Sequence, residues 1–129
     1  MDLITITRET GLEFTVAVRG HTVTSDMAPG DGGADGGPAP AELLAASLGV
    51  CTAMMAQAYC RKHGWDGDAG ANLTLELADN PKRVAAIVVD LELPESVPDD
   101  KQETVRKVAE RCLVHETFKH PPTVDVEVA

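Results

Sequence analysis

The sequence predicts an α+β fold in which antiparallel sheets pack on one long, buried central helix. Segments of alternating apolar and polar residues flank a long apolar helical stretch, and a second amphipathic stretch follows. Turns rich in glycine and proline separate these segments. The predicted order of elements is βββ-α-ββ-α-β. With 129 residues the chain suits a single domain, and we assign residues 1–129 to it.

The first three strands are predicted from period-two patterns at residues 3–7, 12–19 and 22–26. A turn at Arg19-Gly20 precedes the third strand. Residues 27–37 are rich in glycine, and we expect them to form a flexible linker or a mobile flap. They are not a phosphate-binding loop, because no Gly-Lys-Ser/Thr follows.

The central helix is predicted from about Pro40 to His63. Pro38 and Pro40 suit its start, and Gly64, which follows basic residues, suits its end. Between Leu43 and Ala56 nearly every side chain is apolar. We therefore expect this helix to be buried on nearly every side.

The second half of the chain predicts a hairpin, a helix and a last strand. The hairpin strands cover residues 73–77 and 87–93 and turn near Asn80-Pro81-Lys82. The helix starts with a capping-box-like Asp100 and Glu103 and runs to Cys112. Alternating valines predict the last strand at residues 123–128.

Composition excludes several classes of function. The net charge of -10 disfavours binding to nucleic acid and to anionic membranes. Three cysteines argue against a secreted disulfide framework, and we find neither a leader segment nor an apolar run that approaches a membrane span. We expect a cytoplasmic protein. Because only 3% of the residues are aromatic, we expect a partner subunit to complete the core.

Two cysteines have the settings that thiol chemistry needs. Cys51 lies in the apolar helix and Cys112 closes the second helix, so the two can meet only in the fold. In a thiol peroxidase one cysteine attacks the peroxide and becomes a sulfenic acid, which the other resolves as a disulfide. The alternative is that both are small core residues, as buried cysteines often are.

Cys60 is expected to be a bystander. It follows Cys51 at about 13 Å along the same helix, whereas the Cα atoms of a disulfide lie within about 7 Å. The histidines His63, His115 and His120 raise a metal alternative, but no CxxC or HxxxH spacing is present. We expect no metal and no cofactor.

Three segments carry a resemblance to the OsmC/Ohr family of osmotically inducible and organic-hydroperoxide-resistance proteins. Residues 37–52, GPAPAELLAASLGVCT, resemble the family's helix start and reactive cysteine. Residues 109–115, AERCLVH, are similar to its second-cysteine segment, and residues 19–26, RGHTVTSD, are placed like its arginine-bearing strand pair.

The resemblance implies a function and a set of site residues. Cys51 would attack an organic hydroperoxide and Cys112 would resolve the sulfenic acid. Arg19 would contact the reactive thiolate, with Arg8 as the competing arginine, and Glu42 would orient that arginine. The family also implies an intertwined homodimer and a dithiol reductant, often of lipoyl type.

Two departures from the family pattern support an alternative function. Leu113 replaces the proline that usually follows the second cysteine. Glu42 precedes Cys51 by nine residues instead of ten, which rotates it by about 100° around a helix. The alternative is a redox-responsive or ligand-binding OsmC-like protein without efficient peroxidase turnover.

Overall fold

The computed structural model describes residues 3–129. Its chain forms two compact units, one that extends to Leu44 and one that covers Ala45–Ala129. The elements in order are β1 (Thr5–Thr10), β2 (Glu13–Val18), β3 (His21–Ser25), α1 (Pro40–Lys62), β4 (Gly70–Ala78), β5 (Arg83–Glu92), α2 (Gln102–Ala109) and α3 (Leu113–Lys119). The predicted α+β class with its central helix is confirmed.

The first unit holds a three-stranded antiparallel sheet in the order β1-β2-β3. Strand β2 lies in the middle, with Val16 opposite Ile6 on one side and Val23 on the other. The predicted turn between β2 and β3 is present, and both of its residues, Arg19 and Gly20, have positive φ angles of 50° and 81°. Glycine adopts this conformation without strain, whereas arginine rarely does.

The glycine-rich segment after β3 is folded. A short 3-10 turn covers Pro29–Asp31, and the carboxylate of Asp26 accepts hydrogen bonds from the backbone of the segment. The Ser25 hydroxyl donates to the carbonyl oxygen of Pro38 at 2.8 Å, which brings the end of the segment back to β3. These contacts give the segment a defined conformation, in contrast to the predicted linker or flap.

In the second unit a two-stranded antiparallel sheet, β4-β5, packs against α1. Gly49 of the helix lies against Leu73 of β4, and a Cβ atom on Gly49 would overlap the leucine side chain. The core beside it consists of Ala56, Cys60, Val97, Val105 and Ala109. The helix ends near the predicted position, with Gly64 at a φ of +71°.

The second predicted helix is divided in two. Helix α2 ends at Ala109, and Cys112 is the N-cap of the separate helix α3. The predicted capping box is absent from the described residues, since α2 begins after a 3-10 turn at Asp99–Lys101 and Lys101 at its N-cap gives no side-chain cap. Glu103 instead pairs with Arg106 on the next turn.

Helix α1 is less buried than the sequence predicts. Val50 and Met54 are 53% and 65% exposed, so one face of the helix is open in the single chain. By length and composition alone, Pro40–Lys62 would also pass as a membrane span, contrary to our expectation from the sequence. The other face packs in the protein core through Ala56 and Cys60, as in the central helix of a soluble protein.

The predicted C-terminal strand does not form in the single chain. Residues 121–129 have no helix or strand, and Val124, Val126 and Val128 are 78%, 91% and 99% exposed. A strand needs a neighbour to accept and donate its backbone hydrogen bonds, and none lies beside this segment in the described chain.

Candidate thiol site

Cys112 is a fully buried thiol with a defined hydrogen-bond environment. Its Sγ accepts a hydrogen bond from the backbone N–H of His115 at 3.3 Å, which is the usual N-cap contact to the third residue of a helix. Its Sγ also lies 3.7 Å from the hydroxyl oxygen of Thr52. Because Thr52 is on α1, this contact connects the α2–α3 junction to the central helix.

Thr52 is 7% exposed and its hydroxyl has two partners. It donates to the carbonyl oxygen of Leu48, one turn earlier in α1, at 2.8 Å. Since the single hydroxyl proton is used in that bond, the contact with Cys112 is one in which the thiol donates to the threonine oxygen. The buried thiol is therefore satisfied as both donor and acceptor.

Cys51 precedes Thr52 and lies at the border between the two faces of α1. Its side chain is partly buried, whereas Thr52 faces the core and Val50 faces solvent. A step of one residue turns a side chain by about 100° around a helix, so Cys51 and Thr52 point in different directions. Cys51, Cys60 and Cys112 are free thiols. The structure thus brings Cys112 to the neighbour of Cys51.

A cavity of about 310 Å³, here called the Thr52 cavity, lies beside this contact. Its wall is apolar and its polar groups come from α1, α2 and α3; it is lined by Leu48, Thr52, Ile87, Val89, Leu91, Arg106, Ala109, Glu110 and His115. Arg106 pairs with both Glu103 and Glu110, and its hydrogen bond holds the pKa of Glu103 below the ordinary value.

Arg19 and Glu42 lie in the first unit, apart from the unit that holds the thiols. Arg19 is exposed in the β2–β3 turn. The Glu42 carboxylate accepts a hydrogen bond from the backbone N–H of Ala39 at 2.8 Å, so it serves the start of α1. Within residues 3–129 no ion pair joins Arg19 to Glu42.

The competing residues Arg8 and Cys60 have structural partners. The Nε of Arg8 donates to the carbonyl oxygen of Gly11 at 2.8 Å and closes the β1–β2 turn. Cys60 is completely buried in the core, and this burial raises the pKa of its thiol. A raised pKa keeps the thiol protonated and unreactive at neutral pH.

Thr52 and His115 are parts of the site that the sequence analysis missed as contacts of Cys112. A threonine in an apolar helix reads as a filler, and the backbone contact of His115 depends on a helix break that the apolar pattern hides. Within the described chain, no group of three or more His, Cys, Asp or Glu side chains is arranged to hold a metal.

A protein-family model described as OsmC-like protein matches residues 30–127, which is most of the chain. The chain belongs to the OsmC family. The match includes α1 with Cys51 and the segment with Cys112. A search of the curated proteins found no significant match.

Solved structures share the OsmC fold at low sequence identity. An osmotic stress induced and detoxification response protein from Psychrobacter arcticus 273-4 is similar, with a TM-score of 0.83 at 21% identity over 91% of this chain and 88% of that one. An organic hydroperoxide resistance protein OsmC from Legionella pneumophila has a TM-score of 0.68 at 16% identity, over 92% of this chain and 89% of that one.

A third structure, an organic hydroperoxide resistance protein from Vibrio cholerae, was solved with captopril in one of its active sites. It has a TM-score of 0.61 at 13% identity, over 95% of this chain and 87% of that one. These likenesses establish a common fold. The family includes hydroperoxide-reducing proteins, so a peroxidase-like role is supported for this OsmC protein at the level of the family.

Within the family, the Leu113 departure has a structural outcome. Leu113 is the first residue of α3, a position where proline is favoured because its missing N–H would have no helical partner. The chain breaks between α2 and α3 even with leucine there. The helix break at Cys112 therefore does not require the proline.

Proposed function

We propose that this OsmC protein is a cysteine-based peroxidase that reduces organic hydroperoxides. The observation that carries the proposal is the 3.7 Å contact between Cys112 Sγ and Thr52, the residue after Cys51. Two segments sixty residues apart, each with a free thiol, come together at this point. A family that includes hydroperoxide-reducing proteins supports the same reaction class.

The proposed reaction has three balanced steps. The Cys51 thiolate attacks the terminal oxygen of the hydroperoxide, the O–O bond breaks, and the alcohol leaves while Cys51 becomes a sulfenic acid. Cys112 then attacks the Cys51 sulfur, which forms the disulfide and releases water. A dithiol, possible in lipoyl form, reduces the disulfide by thiol exchange and becomes oxidised itself.

Arg19 is proposed as the cation that activates Cys51, and Glu42 as the carboxylate that orients it. Arginine keeps its charge even in dry surroundings and therefore suits this role. Its exposure in the single chain leaves the guanidinium free to reach a thiol. Arg19→Ala should slow the reaction of Cys51 with peroxide and with small alkylating agents, whereas Arg8→Ala should leave both rates unchanged.

We further propose a cytoplasmic homodimer of one OsmC-like domain per chain. The open face of α1 at Val50 and Met54 and the exposed valines of the C-terminal segment are apolar surfaces that a second copy would cover. No nucleic acid or membrane takes part in the proposed function, in line with the net charge of -10.

The second candidate function is a redox-responsive or ligand-binding protein without efficient turnover. Two observations favour it: the neighbour of Cys112 is Thr52 and not Cys51 itself, and the Glu42 carboxylate is engaged in capping α1. Such a protein would form the disulfide, or bind an apolar ligand, without repeated consumption of peroxide.

Steady-state consumption of an organic hydroperoxide with dihydrolipoamide separates the two functions. The peroxidase requires multiple turnovers that depend on both peroxide and dithiol, and peptide mapping should find a Cys51–Cys112 disulfide in the oxidised protein. Cys60→Ala is the matched control, because it removes a thiol from the same helix and should retain turnover. Absence of turnover in the wild-type protein would favour the binding module.

A further inference from the structure

We propose that Thr52 is a positioning residue for Cys112, and that its hydroxyl turns from the Leu48 carbonyl to the Cys112 sulfur when the thiol loses its proton. The inference deepens the proposed function and rests on it for the role of Cys112 in resolution. It is carried by the two contacts of the buried hydroxyl, at 2.8 Å to Leu48 O and 3.7 Å to Cys112 Sγ.

The resting arrangement stabilises the neutral thiol. The thiol donates to the Thr52 oxygen, the hydroxyl donates to Leu48, and the His115 N–H donates to the sulfur. When Cys112 ionises, its donated proton is gone and its sulfur becomes a stronger acceptor. The Thr52 hydroxyl lies on the correct atom to supply a second hydrogen bond to that sulfur.

The turn of the hydroxyl has a small cost. The Leu48 carbonyl also accepts the ordinary helical hydrogen bond from the Thr52 backbone N–H, so it stays satisfied when the hydroxyl leaves. A buried thiolate without that second donor would be costly, because Cys112 is 0% exposed and water cannot reach it. The fold thus holds a spare proton donor next to a thiol that must ionise.

In the resolving step, the Cys112 sulfur attacks the sulfur of the Cys51 sulfenic acid. The S–S bond forms, the S–O bond breaks, and the leaving hydroxyl takes the proton of Cys112 to become water. Cys51 was oxidised by the hydroperoxide, so no further oxidant is required. Thr52 makes and breaks no covalent bond in this step and only holds and stabilises the attacking sulfur.

Other ionisable groups surround the same contact. His115 on α3 and Arg106 with Glu110 on α2 line the Thr52 cavity, Cys51 precedes Thr52 on α1, and the wall from β5 is apolar. Glu110 is paired with Arg106. The titration of Cys112 is therefore measured against a constant background, with only Thr52 varied.

The test compares Thr52→Val, which removes the hydroxyl at constant shape, with Thr52→Ser, which keeps it. In a Cys51→Ser, Cys60→Ala background Cys112 is the only thiol, and its ionisation is followed by thiolate ultraviolet absorbance against pH. Thr52→Val should move the midpoint upward by about one pH unit, since a hydrogen bond to a charged group contributes about 1.5 kcal/mol. Thr52→Ser should titrate like the parent.

With the native cysteines, Thr52→Val should slow disulfide formation at neutral pH by about tenfold, in proportion to its lower thiolate fraction. The first reaction of Cys51 with peroxide should keep its rate. Thr117→Val is the control, because Thr117 donates to the Leu113 carbonyl at 2.8 Å in the same local pattern but is exposed, with no thiol contact among the described residues.

An unchanged Cys112 titration in Thr52→Val would overturn the proposal, as would equal shifts in Thr52→Val and Thr52→Ser. Thermal unfolding of Thr52→Ser verifies that a folded hydroxyl variant is compared. Because the titration uses no peroxide, it decides the role of Thr52 even if the wild-type protein forms no Cys51–Cys112 disulfide, which is the failure of the proposed function.

Discussion

The Asp26 carboxylate accepts hydrogen bonds from the backbone N–H groups of Met27 at 2.7 Å, Ala34 at 3.2 Å and Gly36 at 3.0 Å. These bonds, with that from Gly36 the largest, hold the pKa of Asp26 below its ordinary value of 3.8. The charged form is favoured in the folded state. The loop that follows β3 is therefore stabilised by an ionised side chain that is 2% exposed.

Asp26→Asn should lower the thermal stability at neutral pH, because the amide loses the charge and one acceptor oxygen. The sign of the pH dependence follows from a pKa that is depressed on folding: the stabilisation is fully present above the ordinary value of 3.8 and is lost as pH falls through the lower folded value. Thermal unfolding measured from neutral pH to strongly acidic pH should show the two curves converging at low pH.

Asp35→Asn is the control for this titration. Asp35 lies in the same loop, is exposed, and has a φ of +57°, which asparagine tolerates well. It should unfold like the wild-type protein at neutral pH. If Asp26→Asn did the same, the carboxylate would have no role in the loop.

At the scale of single residues, motifs located the thiols but not their partners. Cys51 and Cys112 stand in segments that resemble a known family, so their positions could be read directly. The contact of Thr52 with Cys112 depends on where α3 begins, which the sequence pattern does not define. The proposed roles of Arg19 and Glu42 stay predictions.

At the scale of the elements, the loop between β3 and α1 depends on glycines that accept close backbone contacts. A Cβ atom on Gly33 would overlap the carbonyl oxygen of Met27, whereas one on Gly30 would meet no atom within 4 Å. The high glycine content of the segment predicted mobility. In the fold, Gly33 instead allows the loop to close on itself.

Gly33→Ala should destabilise the protein by about 1–3 kcal/mol, because the backbone must shift to admit the methyl group. Gly30→Ala should change the free energy of unfolding by less than about 0.5 kcal/mol, as surface substitutions usually do. Urea denaturation of the two variants measures the difference. Equal stability would mean that the loop is as flexible as its composition predicts.

Local patterns located most elements because each carries its own signal. The strands of both sheets alternate, and proline and glycine define the ends of α1. The break at Cys112 was missed since Val105, Ala109 and Cys112 continue one helical spacing through it. Backbone geometry, and not apolar periodicity, ends α2 at this point.

At the scale of the whole molecule, two sequence signals have no partner within the described chain. The apolar residues of α1 predicted burial on nearly every side, yet Val50 and Met54 are exposed. The alternating valines near the C-terminus predicted a strand, yet they pair with no neighbour. A second copy would account for both, because a local pattern does not distinguish burial within a chain from burial between chains.

The wild-type protein should be a dimer by sedimentation velocity, and Val50→Glu with Met54→Glu should make it monomeric, because charge in a buried apolar interface is costly. Hydrogen exchange should show protected amides at residues 123–128 only in the dimer. Leu77→Glu, at a site that is 61% exposed on β4, is the control and should stay dimeric. A monomeric wild-type protein would contradict the proposal.

The reaction of Cys51→Ser and Cys112→Ser with an organic hydroperoxide tests the central claim most directly. Cys51→Ser should abolish the reaction, because a serine hydroxyl is too basic to ionise and attack the O–O bond. Cys112→Ser should retain one fast turnover and leave a Cys51 sulfenic acid that a dimedone-type reagent traps. Retention of the fast turnover in Cys51→Ser and its loss in Cys112→Ser would reverse the assignment, and wild-type behaviour of both variants would contradict the peroxidase account.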